Sequence, residues 1–208
     1  MNAMATGVIR TRAGENYLTE EEEKKLFKLL RDRKDWQAVR DYTLIRLARA
    51  TGLRREEISN LNVADVYGKE RLECNERVAV KGAIGTVDIP VDIQKLLHDF
   101  FRQKHARGES LADDEPLFVS KKGNRLDLST INRLMDKWCK LAGIPHYSPH
   151  ALRHTKAQRI LADIKHLSPE DHDKKLRFVN QQLRHKSWGA TMIYTRPTKE
   201  QMKQVGAI

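Results

Sequence analysis

The chain has 208 residues, enough for one domain with a substantial core and little beyond it. Thirty-nine Lys and Arg against 28 Asp and Glu give a net charge of +11 and a pI near 9.7. That balance suits a polyanionic partner such as nucleic acid, although ribosomal and membrane-surface proteins share it. No apolar run approaches the ~20 residues of a bilayer span, and the N-terminus lacks the apolar core of a signal peptide, so a cytoplasmic protein is expected. Two distant cysteines, Cys74 and Cys139, make neither a zinc ligand set nor a disulfide framework.

Residues 1–16 are polar and aperiodic, carry Arg10 and Arg12, and read as a flexible arm before a folded unit over 17–208. Thr19 and Glu22 form a capping-box pattern that opens a helix carrying Leu26, Leu29 and Leu30. A second helix runs from about Asp35, with Trp36, Val39, Tyr42, Ile45 and Leu47 inward, to Thr51 and Gly52. A short third helix follows around residues 53–58. At Val78 the apolar period becomes two: Val78 and Val80, then Val87, Ile89 and Val91, predict a β-hairpin with Lys81 at the lip of a Gly-bearing turn. Ile93, Leu96, Leu97, Phe100 and Phe101 match the helical template, as do Ile131, Leu134, Met135, Trp138 and Cys139. Between these stripes, residues 116–120 read as a short extended piece and Lys121-Lys122 as a basic turn.

Ser148-Pro149 predicts an N-cap with proline at the first helical position, which puts His150 and Arg153 on one face. Residues 166–175 read as a polar loop, followed by a helix with Leu176, Val179 and Leu183. Past Pro197, Met202, Val205 and Ile208 recur every three residues, on what reads as one helical face. The fold class is mainly α with a small β-hairpin or three-stranded antiparallel sheet, an α+β arrangement.

The chemistry centres on Tyr194, between apolar anchors and with His185 and Arg196 nearby. A phenol has a pKa of ~10 and needs cationic or hydrogen-bonding neighbours to act as a nucleophile at neutral pH. Singly, each candidate has a plain structural reading: a half-buried tyrosine, a helix-start arginine at Arg54, an edge-strand lysine at Lys81. His150 and His154 stand at metal-ligand spacing, but Ala151 replaces the glutamate of such a motif and no third ligand is placed. Taken together, Arg54, Lys81, His150, Arg153, His185 and Tyr194 describe a phosphodiester site. Two guanidiniums can clamp non-bridging oxygens, an ammonium can protonate a leaving oxygen, and an imidazole can exchange the nucleophile's proton. Such a site needs no metal.

The motifs Thr51-Gly52-Leu53-Arg54-Arg55-Glu56-Glu57, Lys81-Gly82, His150-Ala151-Leu152-Arg153-His154, Leu183-Arg184-His185 and Tyr194 resemble the tyrosine recombinase (phage integrase) family in order and nearly all spacings. The resemblance implies site-specific DNA recombination, with Tyr194 forming a 3′-phosphotyrosine. It implies that Arg54 and Arg153 bind the scissile phosphate, that Lys81 is the general acid and that His150 assists proton transfer. His185 would hydrogen-bond the phosphate and Glu57 would orient the cluster. Arg55, Lys121, Lys122, Arg184 and Arg196 are candidate DNA contacts. The implied partners are double-stranded DNA with recombination sites, further copies of the chain as a dimer to tetramer on that DNA, and accessory DNA-bending proteins. Three features depart from the family pattern. Arg184 stands where glycine is usual, and the interval from Arg153 to His185 is long. The helical core-binding domain usual upstream has no room in residues 1–16, as in the compact fimbrial phase-variation invertases. A type IB topoisomerase-like relaxing enzyme and a DNA-binding regulator on the same scaffold are the rival readings.

Overall fold

The computed structural model describes residues 17–162 and 168–195; the N-terminal arm, Arg196 and the apolar stripe of the tail lie outside them. Helix α1 (Glu20–Arg31) opens on the capping box, with Thr19 Oγ1 accepting from Glu22 N and Glu22 Oε2 accepting from Thr19 N. The chain just before it is pinned to the far end of the sequence, since Leu18 N donates to Thr155 Oγ1 at 2.9 Å. Helix α2 (Trp36–Thr51), capped by Asp35, is the central strut, packed against α1, α4 (Val91–Ala106) and α6 (Pro149–Ile160). Burial on several sides explains its weak amphipathicity, and even Arg40 and Asp41 lie inside. Their charges are matched: Asp41 Oδ1 accepts from Arg40, Asp41 Oδ2 accepts from Trp138 Nε1 at 2.8 Å, and Arg40 Nη1 donates to Val119 O. This buried network ties α2 to α5 (Leu128–Leu141).

The sheet differs from expectation. Strands β1 (Arg71–Cys74) and β2 (Gly85–Asp88) pair antiparallel, with Arg71 opposite Asp88 and Cys74 opposite Gly85. The first strand therefore lies earlier than the Val78–Val80 alternation suggested. Val78 is instead a buried anchor in the ten-residue connection 75–84, where Asn75 Oδ1 accepts from the amides of Arg77 and Val78. Val91 begins α4 after Pro90. Among the described residues no third strand joins the pair; residues 116–125 contribute isolated bridges, one of which closes the Lys121-Lys122 turn.

A second correction concerns residues 168–175, expected as loop. They form the first half of α7 (Pro169–Leu183), capped by Ser168 and with Glu170 and Asp171 in its first turn. The charged side chains hid a start signal of the same Ser-Pro type as the one read at Ser148. The described residues close with the five-residue α8 (Trp188–Met192) and a 3₁₀ turn, Ile193–Thr195. Besides the main core, a small cluster of Ala157, Leu161, Leu176, Val179 and Leu183 forms between α6 and α7, and Tyr194 packs on it.

Candidate active site

Helix α2 ends at Gly52, whose φ of +70° is left-handed. A Cβ there would lie 2.7 Å from Leu183 Cδ2 and 3.0 Å from Lys156 Cδ, so glycine is required by both backbone and space. The tight turn delivers Arg54 to the first position before α3 (Arg55–Asn60). Arginine has no acceptor, so only the glutamate half of a capping box forms: Glu57 Oε2 accepts from Arg54 N at 2.8 Å. Glu57 Oε1 accepts from Arg54 Nη1 at 2.9 Å, and Oε2 also receives Arg184 Nη2 at 2.6 Å. Glu57 is fully buried and joins two guanidiniums with one carboxylate.

Helix α6 sends two cations to helix ends. Arg153, 1% exposed, donates Nη1 to Gly52 O at 2.6 Å and Nη2 to Leu183 O; Lys156 Nζ donates to Thr51 O at 3.0 Å. Terminal carbonyls left over by α2 and α7 are thereby satisfied, and the cations sit at the negative poles of both helices. Burial, helped by the neighbouring Arg184 and Arg153, lowers the Lys156 pKa to about 8. Burial and then Arg54 and Arg184 lower that of Arg153 to about 10. Arg54 faces a cleft, whereas Arg153 spends two of its five N–H donors on the helix-end carbonyls of Gly52 and Leu183.

Tyr194 is half-buried among imidazoles. His185 stacks on it at 6.0 Å between centroids and 12° between planes, His154 meets it edge-on at 5.3 Å, and His150 meets His154 at 4.5 Å. Burial holds the phenol above its usual range, while Arg153 and Arg54 pull it down, so the resting group is a neutral phenol. Burial first, then neighbouring positive charge, brings His185 and His154 to about 4 and lowers His150. These rings are therefore neutral at pH 7. The His150–His154 pair acquires no third ligand: among the described residues no group of three His, Cys, Asp or Glu side chains is placed to hold a metal ion.

Arg54, Arg55, Lys81 and His150 line one cleft of about 640 Å³ between α3, the β1–β2 connection and the start of α6. Lys81 is exposed there, with φ +55°. Gly82, which follows it, lies under Lys186, whose Nζ would be 2.9 Å from a Cβ at that glycine. Lys121 and Lys122 are exposed on their turn and do not line this cleft. Arg184, a candidate DNA contact, is 7% exposed and points inward to Glu57 and Ala83 O. Its φ of +51° explains why glycine suits this helix end. Sequence reasoning missed Lys156, Lys186, Asn180 and Thr191. Lys186 directly follows a named motif and Lys156 lies one helical turn after Leu152, but nothing local marks Asn180 or Thr191.

Helices around a small sheet, with arginines, histidines and a tyrosine converging, match the comparisons with known proteins. The model of the phage integrase family matches residues 16–201. The chain belongs to the phage integrase family. Tyrosine recombinase XerC of Corynebacterium efficiens is 32% identical over 164 residues, covering 78% of this chain and 48% of that protein. Tyrosine recombinase XerA of Pyrococcus furiosus is 31% identical over 195 residues, covering 90% and 59%. The crystal structure of XerA recombinase superposes with a TM-score of 0.69 at 28% identity, covering 95% of this chain and 64% of that one. XerH bound to its difH substrate shares the fold, with a TM-score of 0.69 at 20% identity over 93% of this chain and 53% of that one. The chain spans about half the length of the curated relatives it matches.

Proposed function

We propose that the chain is the catalytic part of a site-specific DNA recombinase that cuts and rejoins strands through Tyr194, without metal or nucleotide cofactor. The observation that carries this reading is the cluster of Arg54, Arg153 and Arg184 around the one buried carboxylate of Glu57, with Tyr194 beside it: a cationic site facing a neutral nucleophile. Tyr194 Oη attacks the scissile phosphorus and the bond to the 5′ oxygen breaks. The phenolic proton passes to a neutral imidazole, with His150 in that role, and Lys81 protonates the departing 5′ oxygen. The 3′-phosphotyrosine conserves the bond for attack by another 5′-hydroxyl. Arg54 neutralises the phosphate and His185 donates to it, while Glu57 orients Arg54. Arg55, Lys121, Lys122 and Arg196 are proposed to touch the duplex.

The partner is double-stranded DNA carrying recombination sites, on which two to four copies assemble in the cytoplasm with accessory DNA-bending proteins. Residues 17–208 form the catalytic unit, and the finer likeness is to the compact fimbrial phase-variation invertases. The test uses nicked duplexes from a randomised library, with covalent adducts captured in detergent and sequenced. Wild type should yield adducts with a shared sequence, and Tyr194→Phe should bind DNA but yield none. Adducts from the phenylalanine variant would overturn the assignment, adducts without sequence preference would favour a relaxing enzyme, and binding without adducts would favour a regulator.

A further inference from the structure

Three residues before Tyr194, on the helix that leads to it, Thr191 is fully buried and its hydroxyl meets two side chains. Asn180 Nδ2 donates to Thr191 Oγ1 at 2.9 Å, and His185 Nδ1 lies 2.8 Å from the same oxygen. The His185 amide in turn donates to Asn180 O at 3.0 Å, so α7 holds both the ring's backbone and the hydroxyl that faces the ring. Thr43, Thr51 and Thr155 send their hydroxyl protons back to the carbonyl four residues earlier. Among the described residues Thr191 makes no such bond. A hydroxyl has one proton. That oxygen can accept twice, but with the Asn180 amide donating to it and no carbonyl taking its proton among the described residues, the acceptor left for the proton is His185 Nδ1, and a ring nitrogen that accepts carries no hydrogen of its own.

We propose that Asn180 and Thr191 are positioning residues that hold the neutral imidazole of His185 as the Nε2–H tautomer, so that it offers a donor rather than an acceptor to the scissile phosphate. Because the helix that bears Thr191 runs directly into the 3₁₀ turn that bears Tyr194, the same hydroxyl couples the orientation of His185 to the seating of the nucleophile. The phosphate contact rests on the recombinase reading above, whereas the tautomer is a property of the free chain. Ring stacking of His185 on Tyr194 supplies the second constraint, since it leaves rotation within the ring plane for Thr191 to settle.

The experiment is long-range ¹H–¹⁵N correlation of the histidine rings in the ¹⁵N-labelled full chain at neutral pH, paired with adduct formation on the nicked-duplex library. Wild type should show His185 with a pyrrole-like Nε2 and a pyridine-like Nδ1. Thr191→Val removes the hydroxyl at nearly constant volume; the two nitrogen shifts should converge and adducts should form at least about tenfold more slowly, with DNA retention unchanged. Thr191→Ser should restore both. Asn180→Asp, an acceptor only, should draw the hydroxyl proton to itself and turn Nδ1 into the donor, inverting the pattern even where the valine variant folds poorly. A protonated Nδ1 in wild type, an unchanged pattern in Thr191→Val and Asn180→Asp, or full cleavage by Thr191→Val would each overturn the proposal. Should wild type form no adducts, the recombinase reading falls, while the tautomer pattern still decides the role of Thr191.

Discussion

Glu57 is the side chain on which most of the site's charge depends. Replacing it by glutamine keeps the shape but leaves the guanidinium of Arg184, 3% exposed, without its counter-charge. We expect Glu57→Gln to cost about 3–5 kcal/mol in urea unfolding, since removing one member of a buried pair strands the other. Arg54 is 22% exposed and has the cleft in front of it, so Arg54→Ala should change stability little and instead slow adduct formation by ~10² to 10³. Equal losses of binding and cleavage would make Arg54 a simple binding contact. His154 and His185 give a pH dependence of definite sign. Both are lowered to about 4, so as pH falls below about 6.5 the unfolded chain takes up protons that the folded chain refuses until near 4. Stability should therefore decrease steadily across that window, and unfolding midpoints measured between pH 7 and 4 should show a shallower loss in His154→Gln.

Among the elements, the junction of α2, α6 and α7 decides where the site stands. Thr51, Gly52 and Leu183 lend their carbonyls to Lys156 and Arg153, so helix ends that would otherwise need water are closed by cations from a third helix. Gly52→Ala would force a left-handed Cβ into Leu183 and Lys156; we expect a loss of roughly 2–4 kcal/mol by chemical denaturation, with cleavage falling as Arg54 shifts. Helix α7 shows why the polar segment before it escaped notice. Its apolar residues occupy only the second half, and its first half is fixed by a cap, with Ser168 Oγ accepting from Asp171 N at 3.2 Å. Ser168→Ala should cost about 1 kcal/mol, measured the same way.

At the scale of the whole molecule, +11 of net charge would make the proposed DNA association an exchange of counterions as much as a set of contacts. Binding to any duplex should weaken steeply between low and physiological salt, with a slope near −0.9 for each phosphate neutralised. Arg54 and Arg153 are proposed to supply the charge a metal would otherwise bring, so adduct formation should persist in excess EDTA; loss that added Mg²⁺ restores would count against the site as drawn. The tail carrying Met202, Val205 and Ile208 has its own test. Deleting residues 199–208 should leave single-site cleavage in place and reduce strand exchange between two sites, since a small apolar face associates only when DNA has already brought the copies together. Exchange at the wild-type rate would remove the tail from assembly.

The sequence by itself determined α1, α2, α4, α5 and α6, each from an apolar spacing, a local start signal or both, because spacing and capping act within a few residues. It also determined the family, since the order of the motifs around Arg54, Lys81, His150, His185 and Tyr194 survives without coordinates. It misplaced β1 because alternation at Val78 and Val80 looks the same in a strand as in a connection with one buried anchor. Only the tertiary structure decided how the charges are spent. Arg153 and the Gly52 carbonyl are 101 positions apart, and Arg184 and Glu57 are 127 apart. Whether a guanidinium faces solvent, a carbonyl or a carboxylate depends on which helix ends meet it, and no local pattern carries that information. The hydroxyl of Thr191 belongs with these: its partners Asn180 and His185 are near in sequence, but they converge only where α7 ends in a left-handed residue and α8 turns back across it.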